Sequence, residues 1–494
     1  MGLRKVIGPA NRLAGLILAS ALVVGCASGN FNQPDNQPIS SVPSMTKSGQ
    51  QYRPRFGETV IGLSFSGGGM RASAFAYGTI KELASHKSRF GDISKSLIDD
   101  VLFVSGVSGG SVPAVYFALH GARTIPSFRD KFLYKDPQSS FETSISLFSL
   151  LAVLGGGLNS KTGFQRWLDE NLFHNATFGD LVGDSAPTLW VNASDLHNET
   201  VFTFDAETFA TLCSDLSVYK LSEAVSASSA VPGIFSPIVI ENFAGQCSYK
   251  EPPWIGRAID SPGSSLVVRN QALAFRRYQN RQENRYLKVV DGFVTDNLGV
   301  HGIITQRERS DSLIAPFSSR QVVSLKKFLF IIVNSATRTE ENTQKKVEGP
   351  NGVRVVQEVM DTLINIATTR TRDAFFQTMQ AWRDDIIKYR CGLSANRVRE
   401  LIGDRQGWDC KDVRFDILDL SFEQVKDKKL RAKLEKIPTA YVLPRTQTDL
   451  LVKSAGELLR SNPQFRDFLK RVPATSSCAL ACGAPADETS GNVE

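Results

Sequence analysis

Histidine is scarce in this sequence, five residues in 494, and no dense block of lysine and arginine occurs anywhere. The first shortage leaves few imidazoles for acid–base work. The second removes the electrostatic footprint expected of a nucleic-acid partner. No uninterrupted apolar stretch reaches the roughly 20 residues needed to cross a hydrocarbon core. Internal repeats are missing, as are the Gly-Lys-Ser/Thr of a P-loop and a G-x-G-x-x-G spacing, which argues against nucleotide binding. What is present is a composition of 42% hydrophobic and 22% charged residues, with 38 Gly and 21 Pro. That excludes a disordered chain, a collagen-like repeat and a small disulfide-stapled scaffold. The length allows two or three domains, or one large α/β domain with insertions. Net charge is +7, but Arg4, Lys5 and Arg12 lie in the first 25 residues, which carry no acid, so the remainder holds only +4. An anionic membrane surface is compatible with that balance.

Residues 1–25 read as a signal peptide: a basic start, then the apolar run Leu13 to Val24. Twelve residues make about 18 Å of helix, short of a hydrocarbon core. Val23-Val24-Gly25-Cys26 resembles the lipobox of bacterial lipoproteins, in which the Cys is diacylated and becomes the mature N-terminus. An ordinary cleaved signal containing a Cys is the alternative. Two acyl chains anchor a protein stably where one does not. Ala27, standing where Asp would mark inner-membrane retention, favours the outer membrane of a bacterial cell envelope over the inner. Beyond Cys26 six cysteines remain, Cys213, Cys247, Cys391, Cys410, Cys478 and Cys482. Pairing of neighbours gives three bridges, one of 15 connectivities, and export favours oxidation of at least Cys213–Cys247 or Cys391–Cys410. The Cys478–Cys482 step has no His or second Cys pair beside it, so no metal is indicated.

Residues 26–55 are polar and rich in Asn, Gln, Ser and Pro, a flexible tether by composition. Folded structure should begin near Phe56. A strand at Thr59–Phe65 ends in Ser66-Gly67-Gly68-Gly69 and leads into a helix from Met70 to His86. A second strand, Val101–Val104, ends in Ser105-Gly106-Val107-Ser108-Gly109-Gly110 and leads into a helix from Ser111 to His120. This βαβα order implies an α/β fold with a mainly parallel sheet. Further strands are expected at 188–193, 287–290, 328–333 and 415–422, and helices at 353–389 and 449–459. The domain reading is a core over 56–345, a helical and strand extension over 346–475 packing on it, and a disordered tail over 476–494.

Gly106 to Gly110 has the G-x-S-x-G form of a nucleophile elbow, where small neighbours permit a sharp strand-to-helix turn. The helix behind it aims N–H groups at a developing oxyanion. Three consecutive glycines at 67–69 offer unobstructed backbone donors of the same kind. Two such loops on adjacent parallel strands would meet at the strands' C-terminal edge.

Together these blocks resemble the patatin-like phospholipases. The resemblance rests on Gly67-Gly68-Gly69-Met70-Arg71, on Gly106 to Gly110, on Ala227-Ser228-Ser229-Ala230-Val231-Pro232 with Phe235-Ser236-Pro237, and on Asp291 to Gly299. It covers about 60–300, with Ile437-Pro438-Thr439 similar to a late element of bacterial members. Ala72 and Phe293 stand where the family pattern has small glycine-like residues. The resemblance implies a three-layer sandwich and a Ser–Asp dyad. In it Ser108 is the nucleophile, Asp291 the base, and Gly67, Gly68 and Gly69 form the oxyanion hole. Arg71 would orient that loop or contact a phosphate. It implies membrane lipid as substrate and no cofactor. Protein partners are not legible. The alternatives are a general carboxylesterase with a Ser-Asp-His triad, in which His301 is the one histidine following Asp291, or a non-catalytic lipid-binding lipoprotein. Ile145–Leu158 reads either as an interfacial segment or as a core helix. Arg276, Arg277, Arg281, Arg285 and Lys288 read as a solvated face or a headgroup contact.

Overall fold

The computed structural model describes residues 32–39, 57–90, 93–140, 161–181, 186–310, 312–337, 347, 352–403 and 407–472. Residues 1–25 with Cys26, the apolar run 145–158, Cys478, Cys482 and the tail lie outside them.

Eight strands form one sheet: β1 (Thr59–Phe65), β4 (Val101–Val107), β5 (Thr188–Asp195), β6 (Thr200–Thr203), β7 (Ile238–Glu241), β8 (Tyr286–Asp291), β9 (Lys327–Asn334) and β10 (Arg414–Ser421). A separate hairpin pairs β2 (Lys87–Phe90) with β3 (Ile93–Ser96). The order across the sheet is β10-β9-β1-β4-β5-β8-β7, with β6 on β5. The five strands from β10 to β5 are parallel. β5 then changes the sense, pairing antiparallel with β8, and β8 pairs antiparallel with β7.

Parallel strands are covered on both faces, which is why β1 and β9 carry apolar side chains at successive positions rather than at every second one. Their side chains alternate between two cores. Ile61, Leu63, Phe65, Leu329, Ile331 and Val333 join one core, under α1 (Gly69–Ser85), α2 (Ser111–His120) and the Arg445–Ser461 helix. Val60, Phe328, Phe330 and Ile332 join the other, with Phe375, Met379, Trp382 and Ile386 of the Gly352–Cys391 helix. The result is a helix–sheet–helix sandwich. β10, from the region read as an extension, is an edge strand of the same sheet, parallel to β9 over its whole length.

The tether reading needs correction at residues 32–39, which are docked. Asn32 Nδ2 donates to the carbonyls of Ser236 and Pro237 at 3.0 and 3.1 Å. Asn36 behaves like a missing strand partner at the β7 edge: its Nδ2 donates to Glu241 O at 2.8 Å and its Oδ1 accepts from Glu241 N at 2.9 Å. Amide side chains can satisfy an edge with little apolar burial, so polar composition here does not mean a free chain.

Two disulfides are formed, Cys213–Cys247 and Cys391–Cys410. The first lies beside Ile39 and Phe243, and Ile39 N donates to Cys213 O at 2.9 Å. The second joins positions 19 apart at the end of the 40-residue helix. Loop-closure entropy for a loop of this size is worth about 3 kcal/mol. Replacing Cys391 and Cys410 together by Ala should therefore lower stability by about that much, read by thermal or denaturant unfolding under oxidising conditions.

Candidate active site

The register across β5 builds the site. Val107, the last residue of β4, pairs with Asn192, and Asp291, the last residue of β8, pairs with Ala193. Because β4 runs parallel to β5 and β8 antiparallel, the two strand ends arrive side by side. Ser108, one residue past β4, then donates from Oγ to Asp291 Oδ2 at 2.7 Å.

Ser108 has φ of 51°, a conformation that costs a non-glycine residue about 1–3 kcal/mol and is held only by surrounding structure. That structure is specific. Ser108 N–H donates to Ser228 Oγ at 2.8 Å, and Ser228 in turn donates to Asn192 O at 2.6 Å. Ser111 Oγ donates to Ser108 O. A Cβ at Gly110 would lie 2.5 Å from Ser66 O, and one at Gly109 only 2.1 Å from Gly69 O. The two glycine loops are therefore in backbone contact, and glycine is required where they touch.

Asp291 is fully buried, and burial raises its pKa from 3.8 to about 7, against the opposing hydrogen bonds from Ser108 and from Phe293 N–H to Oδ1. Its backbone is tied on three sides: N–H to Ala230 O, O from Ser194 Oγ, and Gly292 N–H to Ser228 O. Phe293, the departure from the family pattern, serves through its main chain.

The glycine loop differs from expectation in one respect. Gly67 N–H donates to Asn297 O at 3.1 Å, so it is spent and Gly67 leaves the set of oxyanion donors. Its smallness still matters, since a Cβ there would lie 2.6 Å from Asn297 Oδ1 and 3.4 Å from Ser108 Cβ. Gly68 and Gly69, at φ of 137° and 58°, keep backbone N–H groups without an acceptor among the described residues. They stand at the N-terminus of α1, the positive end of its dipole. Met70 N–H, next in line, is taken by Ala440 O at 2.7 Å.

Arg71 is buried and donates from Nη1 to Ile437 O at 2.7 Å. That bond ties the glycine loop to a distant segment, in keeping with the first of the two roles considered for it. His301 is removed from the chemistry. Its ring Nε2 lies 3.3 Å from Gln271 Oε1, and its backbone N–H donates to Asp296 Oδ2. Burial, with the Arg309 charge adding to it, pushes its pKa down to about 3. Asp291 has its hydrogen bonds from Ser108 and Phe293, so the Ser-Asp-His alternative has no geometric basis. Arg276 is paired with Glu251, and Arg281 with Glu241 and Asn242 O, as expected of a solvated face.

An elbow serine bonded to a buried aspartate thus stands beside two glycine N–H groups that have no acceptor among the described residues. Residues 63–304 match the patatin-like phospholipase family. This part of the chain belongs to that family. The solved structures it resembles include human GIVD cytosolic phospholipase A2, at 12% identity and a TM-score of 0.30, covering 58% of this chain and 47% of that one. VipD from Legionella pneumophila follows at 13% identity and 0.27, covering 81% and 67%. The ExoU–SpcU complex of Pseudomonas aeruginosa stands at 13% and 0.22, covering 90% and 92%. The chain thus spans about half the length of the human protein. No curated protein matches it.

Within the patatin domain, sequence reasoning missed the roles of Asn192, Ser228 and Asn297. Ser228 and Asn297 sat inside recognised blocks but had no assigned task. Asn192, whose Nδ2 donates to Ser105 Oγ and Gly106 O, carried no signal at all. The contact between the loops gives a direct test. Gly109→Ala should destabilise the protein by about 2 kcal/mol or more, because two backbones must separate. The folded fraction should no longer be labelled at Ser108 by a fluorophosphonate.

Proposed function

We propose that the chain is a serine acyl hydrolase that cleaves carboxylic esters of phospholipids or related lipids, with Ser108 as nucleophile and Asp291 as its base. The observation that carries this reading is the 2.7 Å Ser108–Asp291 hydrogen bond to a carboxylate whose pKa is held near 7. A base poised near the working pH removes a proton far better than an ordinary carboxylate does.

In the first half-reaction Asp291 Oδ2 takes the Ser108 proton as Oγ bonds to the ester carbonyl carbon. The oxyanion that forms faces the N–H groups of Gly68 and Gly69 and the N-terminus of α1. Collapse breaks the ester C–O bond, and Asp291 returns its proton to the leaving alkoxide. Water then attacks the acyl-serine, Asp291 takes the water proton, the carboxylic acid departs, and Ser108 regains its proton from Asp291. No histidine is needed at any step.

The reading puts the protein at a membrane. The lipobox-like Cys26 would carry the anchor and retain it on the bacterial envelope, the outer membrane by the Ala27 argument. Asn32, six positions after Cys26, is already docked, so the chain between anchor and body is short. Among the described residues no helix is long and apolar enough to cross a membrane. Cys26→Ser should abolish incorporation of radiolabelled palmitate; continued labelling overturns the anchor.

Ser108→Ala and Asp291→Asn should both remove hydrolysis of mixed phospholipids, followed by mass spectrometry of products, by several powers of ten. His301→Ala, if folded, should retain most of it. Activity of the wild type should rise with pH through about 7 as Asp291 ionises. Stability moves the opposite way. Asp291 holds its proton more tightly folded than unfolded, so its contribution is lost as pH rises from about 4 to about 7. Asp291→Asn should therefore be more stable than wild type at pH 8, by as much as about 4 kcal/mol at ~1.4 kcal/mol per pH unit, with the gap closing by pH 4. An active Asp291→Asn beside an inactive, folded His301→Ala would reassign the base.

A further inference from the structure

Tyr441 lies outside the segment that matches the patatin family, which ends at 304. It follows directly on the residues that hold the glycine loop. Ile437 O accepts from Arg71 Nη1, and Ala440 O accepts from Met70 N–H, both at 2.7 Å. Ala440 also presses on Gly69 so closely that a Cβ there would lie 2.5 Å from its carbonyl oxygen. One residue later the chain reaches the other half of the site. Tyr441 Oη donates to Ser229 O at 2.9 Å. Ser229 stands between Ser228, whose Oγ receives the Ser108 N–H, and Ala230, whose carbonyl receives the Asp291 N–H. The Tyr441 ring is set edge-on against Phe164 and Phe235, with centroids 5.6 and 5.9 Å away. The Asp291 charge acts on its hydroxyl through space, in addition to the burial that holds the phenol protonated.

We propose that Tyr441 is a positioning residue for the Ser108–Asp291 pair, and that residues 437–441 form a strap fixing the glycine loop at one end and the Ser228–Ala230 turn at the other. This rests on the hydrolase reading. Within five consecutive residues, Ile437, Ala440 and Tyr441 hold both the glycine loop and the turn beside nucleophile and base. The hydroxyl is the distinguishing group: the ring alone would fill the space between Phe164 and Phe235, but only the O–H reaches the Ser229 carbonyl. Losing it frees the turn that sets the Ser108–Asp291 geometry, which the transition state needs and substrate binding does not.

The test uses the full chain, p-nitrophenyl butyrate as a soluble ester and a fluorophosphonate as a probe of Ser108. Tyr441→Phe keeps the ring and removes the hydroxyl. It should lower kcat about tenfold, the worth of roughly one hydrogen bond, and slow fluorophosphonate labelling by a similar factor. KM should stay within about twofold and the melting temperature within about 4 °C. Arg71→Met loosens the strap at its other end. In the double variant the slowing should be no greater than in the worse single one, because groups acting as a unit are not additive. A labelled, active wild type with Tyr441→Phe reacting at the same rate overturns the proposal alone. So does a double variant whose slowing equals the product of the two single effects. A wild type that neither hydrolyses the ester nor labels at Ser108 overturns the hydrolase reading, and the proposal with it. If Arg71→Met does not fold, the Tyr441→Phe rate decides.

Discussion

A carboxylate buried at the end of a sheet strand is costly, and Asp291 has no cationic partner among the described residues, so its contact with Ser108 exists inside that cost. Burial pushes Asp291 towards the protonated state, and the two hydrogen bonds it accepts pull back only part of the way. The remaining tension leaves the carboxylate with a serine hydroxyl as companion, and under the proposed function it is what suits Asp291 to act as a base. A nearby arginine would relieve the charge and with it the basicity. Much of the surrounding architecture fixes this pair: Asn192 bonds Ser105, Ser228 bonds Asn192 O, Ser194 bonds the Asp291 carbonyl, and the Phe293 N–H bonds its carboxylate.

Alignment comes from strand register rather than from loops. A serine at the end of a parallel strand and an aspartate at the end of an antiparallel one meet because β5 lies between them and pairs with both. Moving either strand by one residue would turn the reacting side chain to the opposite face of the sheet. The φ of 51° at Ser108 adds a second constraint, since it is maintained only while Gly109 and Gly110 stay against the β1 turn.

Features that depend on neighbours along the chain are legible in the sequence itself. The turns at 66–69 and 106–110 announce themselves because glycine is needed where backbones touch, and the alternation of β1, β4 and β9 with helices follows from apolar runs between them. Ser108 and Asp291 stand out through family resemblance, and no local physical signal singles out Asp291 from other strand-end acids. Contacts between residues hundreds of positions apart are not legible. The bond from Arg71 to Ile437 spans 366 positions, and Gly67 looks like a donor until Asn297 takes its N–H. The antiparallel pairing of β8 and the docking of Asn32 and Asn36 escape for the same reason: composition describes a segment, while an edge strand in need of partners belongs to another part of the chain.

The order in which these parts leave the ribosome bears on when the protein becomes active. A chain synthesised as far as Cys391 contains Ser108, Asp291 and every residue of the patatin match, yet it lacks β10, the Ile437 and Ala440 carbonyls that hold α1, and Tyr441. Pairings across such separations close late, since loop entropy is spent before the contacts repay it. Until those residues arrive, the carbonyls that accept from Arg71 and Met70 and the hydroxyl that bonds Ser229 are missing. Assembly of the Ser108–Asp291 surroundings thus waits on residues that lie well beyond the patatin match in the chain.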